Sequence, residues 1–104
     1  METNVTVVRI YLSESDHKHG KTLMQDILDV LHDQHKVKRV TVLRGIAGIG
    51  DTGEVRAANM LRIMVDLPIV IEFVDTPEVV NSVVELLGDL VPAGHIVSWP
   101  ATCR

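Results

Sequence analysis

The chain has 104 residues, of which 46% are hydrophobic and 23% are charged, and its formal net charge at neutral pH is -4. This length suits one domain, and the composition is that of a folded protein and not of a disordered one. The negative charge argues against general nucleic-acid binding, which needs clustered lysines and arginines facing phosphates. A short, strongly apolar chain leaves surface for another subunit to cover, so we expect a homo-oligomer.

The first residues and the single cysteine indicate the cellular setting. The start, METNVTVVRIYL, has no basic segment followed by a long apolar run, so we expect no signal peptide. No apolar stretch approaches the roughly 20 residues of a membrane-spanning helix. Cys103 has no partner for an internal disulfide or for a paired-cysteine metal site. We therefore expect a cytoplasmic protein that is not an integral membrane protein.

The hydrophobic pattern predicts six elements in the order β-α-β-β-α-β. Strands are indicated by runs rich in β-branched residues, and helices by apolar residues recurring every three or four positions. The second helix also has a strong start signal, in which Thr76 is the N-cap and Pro77 the first helical residue. The predicted segments are strand Val5–Leu12, helix Lys21–His35, strand Val40–Arg44, strand Pro68–Asp75, a helix from Pro77, and strand His95–Trp99.

A glycine motif after the second strand raises an alternative. The segment Gly48–Gly53 reads G-x-G-x-x-G, which is the spacing of a dinucleotide-binding turn. Residues 54–65 have near-helical apolar spacing, and Glu72 and Asp75 supply acids roughly 20 residues further on. Together these features predict a doubly wound parallel sheet and a dinucleotide-binding oxidoreductase.

Three features favour a different fold. Arg9, Arg44 and Glu72 interrupt strands that a doubly covered parallel sheet would keep apolar on both faces. The glycine motif follows the second strand and not the first, and two helices suffice to cover one face of a four-stranded sheet. We therefore predict an α+β, ferredoxin-like split βαβ fold. It has an antiparallel four-stranded sheet, two helices on one face, and a long loop between strands 2 and 3.

This topology brings three connections to one end of the sheet. They are Ser13–Gly20, the glycine loop Ile46–Asp66, and Val91–His95. We expect one domain with its core at about residues 5–100 and a flexible loop at about residues 46–66.

Two candidate sites follow from the residues gathered there. An anionic ligand could be bound by His17, Lys18, His19 and Lys21 beside the start of helix 1, where the helix dipole favours negative charge. The alternative is a solvated loop in which Ser15 or Asp16 caps that helix.

A metal site is the second candidate. His17, His19 and His95 are of the ligand type that zinc or copper prefers, and Glu14 or Asp16 could join them. This hypothesis predicts a metal-binding or metal-responsive protein.

A catalytic role is not indicated. Cys103 lies at a terminus that we expect to fray, and no hydrolase signature surrounds the serines. We interpret Glu72 as half of a structural or inter-subunit ion pair with Arg9 or Arg44. The sequence therefore predicts a protein that is not an enzyme.

Several motifs, in combination and in order, resemble a family of uncharacterised PII-like proteins over about residues 5–100. They are Arg9-Ile10-Tyr11, Glu14-Ser15-Asp16, His19-Gly20-Lys21, the run Thr41 to Gly50, and Asp66-Leu67-Pro68-Ile69-Val70-Ile71-Glu72. The family is similar in fold to the PII nitrogen-signalling proteins and to the CutA group, which are ferredoxin-like trimers with inward-facing sheets.

The resemblance implies a regulatory protein. In PII proteins the loop between strands 2 and 3 docks onto target proteins, and its base helps to form a nucleotide site between subunits. Carried over by position, that implies ligand contacts at Arg44, Gly45, Gly48 and Gly50, with an adenine nucleotide as the candidate ligand. A CutA-like metal-binding protein is the alternative.

The chain also departs from the PII pattern. PII proteins have a glycine- and lysine-rich phosphate loop before strand 4, where this chain has only Val91–His95. PII proteins also have a basic C-terminal segment, and from this sequence we expect none here. The only tyrosine, Tyr11, lies on strand 1, so uridylylation has no target in the loop.

Overall fold

The computed structural model describes residues 2–18, 21–34, 37, 39–50, 53, 55–57 and 66–104. Two helices and eight strands lie within them, some of the strands only two or three residues long. In chain order they are β1 Thr3–Ser13, β2 His17–Lys18, β3 Lys21–Thr22, α1 Leu23–Asp29 with a π-helical continuation Val30–Gln34, β4 Val40–Arg44, β5 Ala47–Ile49, β6 Val55–Ala57, β7 Pro68–Asp75, α2 Pro77–Leu87 and β8 Ile96–Cys103.

The four longest strands form one sheet in the order β4-β7-β1-β8, and every neighbouring pair is antiparallel. This confirms the predicted ferredoxin-like split βαβ fold. The alternative prediction of a doubly wound parallel sheet is therefore wrong. The helix expected after the glycine motif is wrong at residues 55–57, because these residues form β6, which pairs with β5 as an antiparallel hairpin. Residues 58–65 of that expected helix lie outside the described part of the chain.

The core lies between the sheet and the two helices. Side chains alternate along β7, so that Ile69, Ile71, Phe73 and Asp75 are buried and the residues between them are half-buried. Both helices place an apolar stripe on this face of the sheet. The stripe residues with the least exposure are Leu23, Ile27, Leu31, Val80, Val83 and Leu87.

Helix 1 begins later than predicted. Lys21 pairs with Lys18 in a short antiparallel ladder, and the helix starts at Leu23. Thr22 is the N-cap, since its Oγ1 accepts a hydrogen bond from Gln25 N at 3.2 Å. The prediction that Ser15 or Asp16 caps this helix is therefore wrong.

Strand β8 is longer than predicted and ends at Cys103 instead of Trp99. Cys103 pairs with Thr3 of β1, so ladder hydrogen bonding holds a segment that we expected to fray. The start of α2 agrees with the prediction, because Thr76 is its N-cap and Pro77 its first residue. Neither helix in the described chain has the length and hydropathy needed to cross a membrane.

Candidate ligand site at the loop end of the sheet

The three connections predicted to share one end of the sheet do contact one another. Tyr11 N donates to His95 O at 2.9 Å, which joins the end of β1 to the turn before β8. Glu14 N donates to Leu67 O at 3.0 Å, which joins the turn after β1 to the end of the 46–66 connection. The split βαβ topology alone predicted this meeting.

A cavity of about 400 Å³ opens between β5 and the turn before β8. This volume is within the range of small-molecule sites. Gly48 and Gly50 of the glycine segment line the cavity, and so do Gly94 and His95 of the turn before β8. The polar or glycine residues that line it are Ser13, Asp16, Gly48, Gly50, Gly94 and His95.

Two glycines allow the chain to pass closely over Pro68, which also lines the cavity. A Cβ atom on Gly45 would lie 2.7 Å from Pro68 Cγ, and one on Gly48 would lie 3.1 Å from the same atom. Gly45 N also donates to Pro68 O at 2.8 Å. Here the glycines give a close backbone approach, which is a structural requirement at the base of the loop.

The backbone carbonyl of Tyr11 holds the imidazole of His95 at the cavity. Its Nδ1 lies 2.9 Å from Tyr11 O, and Gly94 before it has a φ of +88°, a turn conformation that favours glycine. His95 and Asp16 also line a second cavity, of about 520 Å³, beside Val91. Asp16 is fixed in turn, because its Oδ2 accepts from Ser13 N at 2.9 Å.

Arg44 lies outside the lining of the 400 Å³ cavity. Its Nε forms an ion pair with Glu14 Oε1, and its Nη2 lies 3.2 Å from Glu14 Oε2. The same Oε2 accepts from Leu67 N at 3.0 Å. Arg44, followed by this backbone N–H, holds the pKa of Glu14 below its usual range, and the carboxylate raises the pKa of Arg44 further. Among the described residues around the 400 Å³ cavity, Arg44 does not contribute to the lining.

A contact between Ser15 and Asp66 lies next to the ion pair between Glu14 and Arg44. Ser15 N donates to Asp66 Oδ1 at 3.0 Å, and Ser15 Oγ donates to Asp66 Oδ2 at 2.6 Å. Ser15 and Asp66 belong to separate motifs of the sequence, and no contact between them was predicted. They are 51 positions apart in the chain, so no local pattern links them.

The structure describes the side chain of Lys21, but not all of the histidines predicted to bind a ligand or a metal. Lys21 Nζ lies 3.7 Å from Asp29 Oδ2, so it forms an exposed ion pair along α1. His19 and the side chain of His17 lie outside the described residues. Within the described part, no three His, Cys, Asp or Glu side chains cluster as a metal ion needs. The metal hypothesis therefore remains a prediction.

The sheet face opposite the helices is half polar. Arg9 Nε lies 2.8 Å from Glu72 Oε1, so Arg9 and not Arg44 is the partner of Glu72. The Arg9 guanidinium also lies 5.7 Å from the Trp99 ring centroid, a cation–π distance. The hydrogen bonds that Arg9 makes with Glu72 and, to a smaller extent, with Tyr11 raise the pKa of Arg9. Around this pair lie exposed apolar or aromatic side chains, namely Tyr11, Leu43, Val97 and Trp99.

The order of the elements and the antiparallel four-stranded sheet define a ferredoxin-like protein. CPII from Thiomonas intermedia K12, whose structure was solved bound to ADP and bicarbonate, superposes with a TM-score of 0.63. The alignment covers 99% of this chain and 89% of CPII at 20% sequence identity, which is evidence for the fold alone.

The chain belongs to the DUF190 family, described as an uncharacterized ACR, whose model matches residues 5–103. It is 33% identical to the UPF0166 protein MJ1524 of Methanocaldococcus jannaschii over 88% of this chain and 82% of that protein. It is also 30% identical to a UPF0166 protein of Aquifex aeolicus over 76% of this chain and 74% of that protein. These matches confirm the resemblance to an uncharacterised PII-like family.

Proposed function

We propose that this chain is a non-enzymatic PII-like regulatory protein that forms a homotrimer. It binds a small anionic ligand, with an adenine nucleotide as the first candidate, in the cleft where the 400 Å³ cavity meets the next subunit. The ligand sets the conformation of the 46–66 loop, and the loop contacts a target protein. The observation that carries the proposal is the cavity between Gly48–Gly50 and Gly94–His95.

The ligand's chemistry follows from the walls of that cavity. The described lining residues include the carboxylate of Asp16 and the imidazole of His95, but neither lysine nor arginine. An anion would therefore depend on backbone N–H groups of the glycine segment, on His95, and on groups from an adjoining subunit. Such a site suits a ligand with few phosphates, and CPII, bound to ADP, supports ADP as the first test.

The trimer is supported by the open face of the sheet. Leu43, Val97 and Trp99 are between 39% and 46% exposed there, beside the Arg9–Glu72 ion pair. Exposed apolar patches rimmed by polar groups are typical of protein interfaces. Closing three such faces around one axis would bury the patch and give each ion pair a drier environment.

Docking of a target protein is supported by the short hairpin of β5 and β6. Ile46, Ile49 and Val55 are 81%, 75% and 76% exposed, and Ile49 pairs directly with Val55 across the hairpin. Side chains of this size contribute binding energy when a partner removes them from water. The loop thus offers an apolar contact at these three positions.

Titration calorimetry with AMP, ADP and ATP tests the nucleotide version. We expect saturable heat with at least one nucleotide, and a loss of affinity of about tenfold in His95→Ala, which removes one cavity wall. His32→Ala is the matched control, since His32 is an exposed helical residue next to Asp33 and far from the loops in sequence. No heat with any nucleotide would contradict the nucleotide version.

A further inference from the structure

We propose that the turn Glu14–Ser15 is a clasp that ties together the two boundaries of the 46–66 loop. The loop begins after Arg44 and ends before Leu67. The clasp residues contact both of these boundaries, together with Asp66. The clasp is defined by structure alone, and only its effect on ligand affinity rests on the proposed function.

Glu14 joins the two ends through one carboxylate. Its Oε1 and Oε2 receive the Arg44 guanidinium from the first end, and Oε2 also receives Leu67 N from the second end at 3.0 Å. Backbone pairing adds to this, because Glu14 N donates to Leu67 O at 3.0 Å. A carboxylate that accepts from a guanidinium and a backbone N–H makes stronger bonds than a neutral acceptor would.

Ser15 fixes the second end independently. Its backbone N–H and its hydroxyl each donate to a different oxygen of Asp66, at 3.0 Å and 2.6 Å. Two hydrogen bonds to the same carboxylate fix its orientation as well as its position. The turn after β1 therefore holds the loop from both sides.

The residues that flank the clasp in the chain also line the cavity, which couples the two. Ser13 and Asp16, on either side of the clasp, both line the 400 Å³ cavity and are joined by a hydrogen bond of 2.9 Å. On the loop's side, Gly48 and Pro68 also line the cavity. A ligand there contacts segments that the clasp connects, so closing the clasp preorganises the site.

Hydrogen exchange without any ligand tests the clasp directly. Glu14→Gln keeps the shape of the side chain but removes the charge that Arg44 and Leu67 N bind. We expect the Gly45 amide, which donates to Pro68 O and not to Glu14, to exchange about three- to tenfold faster. Glu2→Gln is the matched control, because Glu2 pairs with Arg104 at 3.7 Å on the surface. Slow exchange of the Phe73 amide in each variant shows that the core remains folded.

An unchanged Gly45 exchange rate in Glu14→Gln overturns the clasp, and so does an equal increase in Glu2→Gln. Asp66→Asn provides a second variant, in which we expect faster exchange at the Ser15 amide and at Gly45. An increase confined to Ser15 overturns the idea that the two contacts act together.

Calorimetry with ADP then tests the coupling. An open clasp leaves the site formed only part of the time, so we expect Glu14→Gln to bind ADP about three- to tenfold more weakly. Equal affinity in the two proteins overturns the coupling but leaves the proposed function in place. No ADP binding by any variant overturns the coupling and the ADP version of the proposed function together, while the exchange rates still decide whether the clasp exists.

Discussion

Arg9 and Glu72 face each other directly across β1 and β7, with Arg9 Nε 2.8 Å from Glu72 Oε1 at the middle of the open sheet face. Trp99 of β8 approaches the same guanidinium. The ion pair is only partly exposed, with 39% and 28% of its side-chain surfaces accessible. A surface ion pair of this kind stabilises a monomer little, whereas a pair enclosed between subunits fixes their orientation. The open face therefore has the composition of an interface.

A charge placed on this face should disrupt the assembly. Leu43 on β4 is 46% exposed and lies on the open face, in register with Val70. We expect Leu43→Asp to shift the mass measured by light scattering from three subunits toward one, because burying an unpaired carboxylate is costly. Leu86→Asp is the control, since Leu86 is 45% exposed but lies on α2. Identical masses for both variants and the unmodified protein would contradict the inward-facing sheet.

Acid should loosen the clasp. The folded-state pKa of Glu14 is lowered by Arg44 and Leu67 N, so its contribution to stability is present above the unfolded-state pKa of a glutamate. It is lost as the pH falls through the lower, folded-state pKa. We expect the difference in unfolding free energy between the unmodified protein and Glu14→Gln to be largest near neutral pH and to vanish in acid, as measured by urea denaturation over a pH series. A difference that grew toward acid would contradict the sign of this shift.

The two glycines at Pro68 should not tolerate side chains equally. A Cβ on Gly45 would clash with the Pro68 ring at 2.7 Å, whereas one on Gly48 would be tight at 3.1 Å. We expect Gly45→Ala to lower the free energy of unfolding by about 1–3 kcal/mol, because a proline ring has little freedom to move. Gly48→Ala should cost less, since a small shift suffices and alanine also restricts the unfolded chain. Denaturation that shows the larger loss for Gly48→Ala would contradict this close approach.

The sequence predicted the strands best where turn residues and side-chain alternation coincide. Pro68 and Asp75 bound β7 as predicted, because proline suits the first position of a strand and every second residue between them is apolar and buried. Helix 1 was placed two residues too early. Lys21 and Thr22 are compatible with a helix locally, but pairing with His17–Lys18 draws them into a strand.

The candidate site was predictable in its location and less so in its contacts. Topology alone placed Gly48 and His95 at the same end of the sheet, and both line one cavity. The ion pair of Arg44 with Glu14 was not predicted, and the role of Arg44 as a ligand contact stays a prediction. The pairing between Ser15 and Asp66 depends on a fold that brings distant residues together, so spacing in the chain carries no signal for it.

Under the proposed function a ligand in the cavity acts on the 46–66 loop, and hydrogen exchange of the unmodified protein with and without ADP tests this most directly. We predict slower exchange in 48–50 and 94–95, which line the cavity, together with a change at Leu67, whose amide is held by Glu14. Exchange that ADP leaves unchanged throughout, or slows only along α2, would contradict the account.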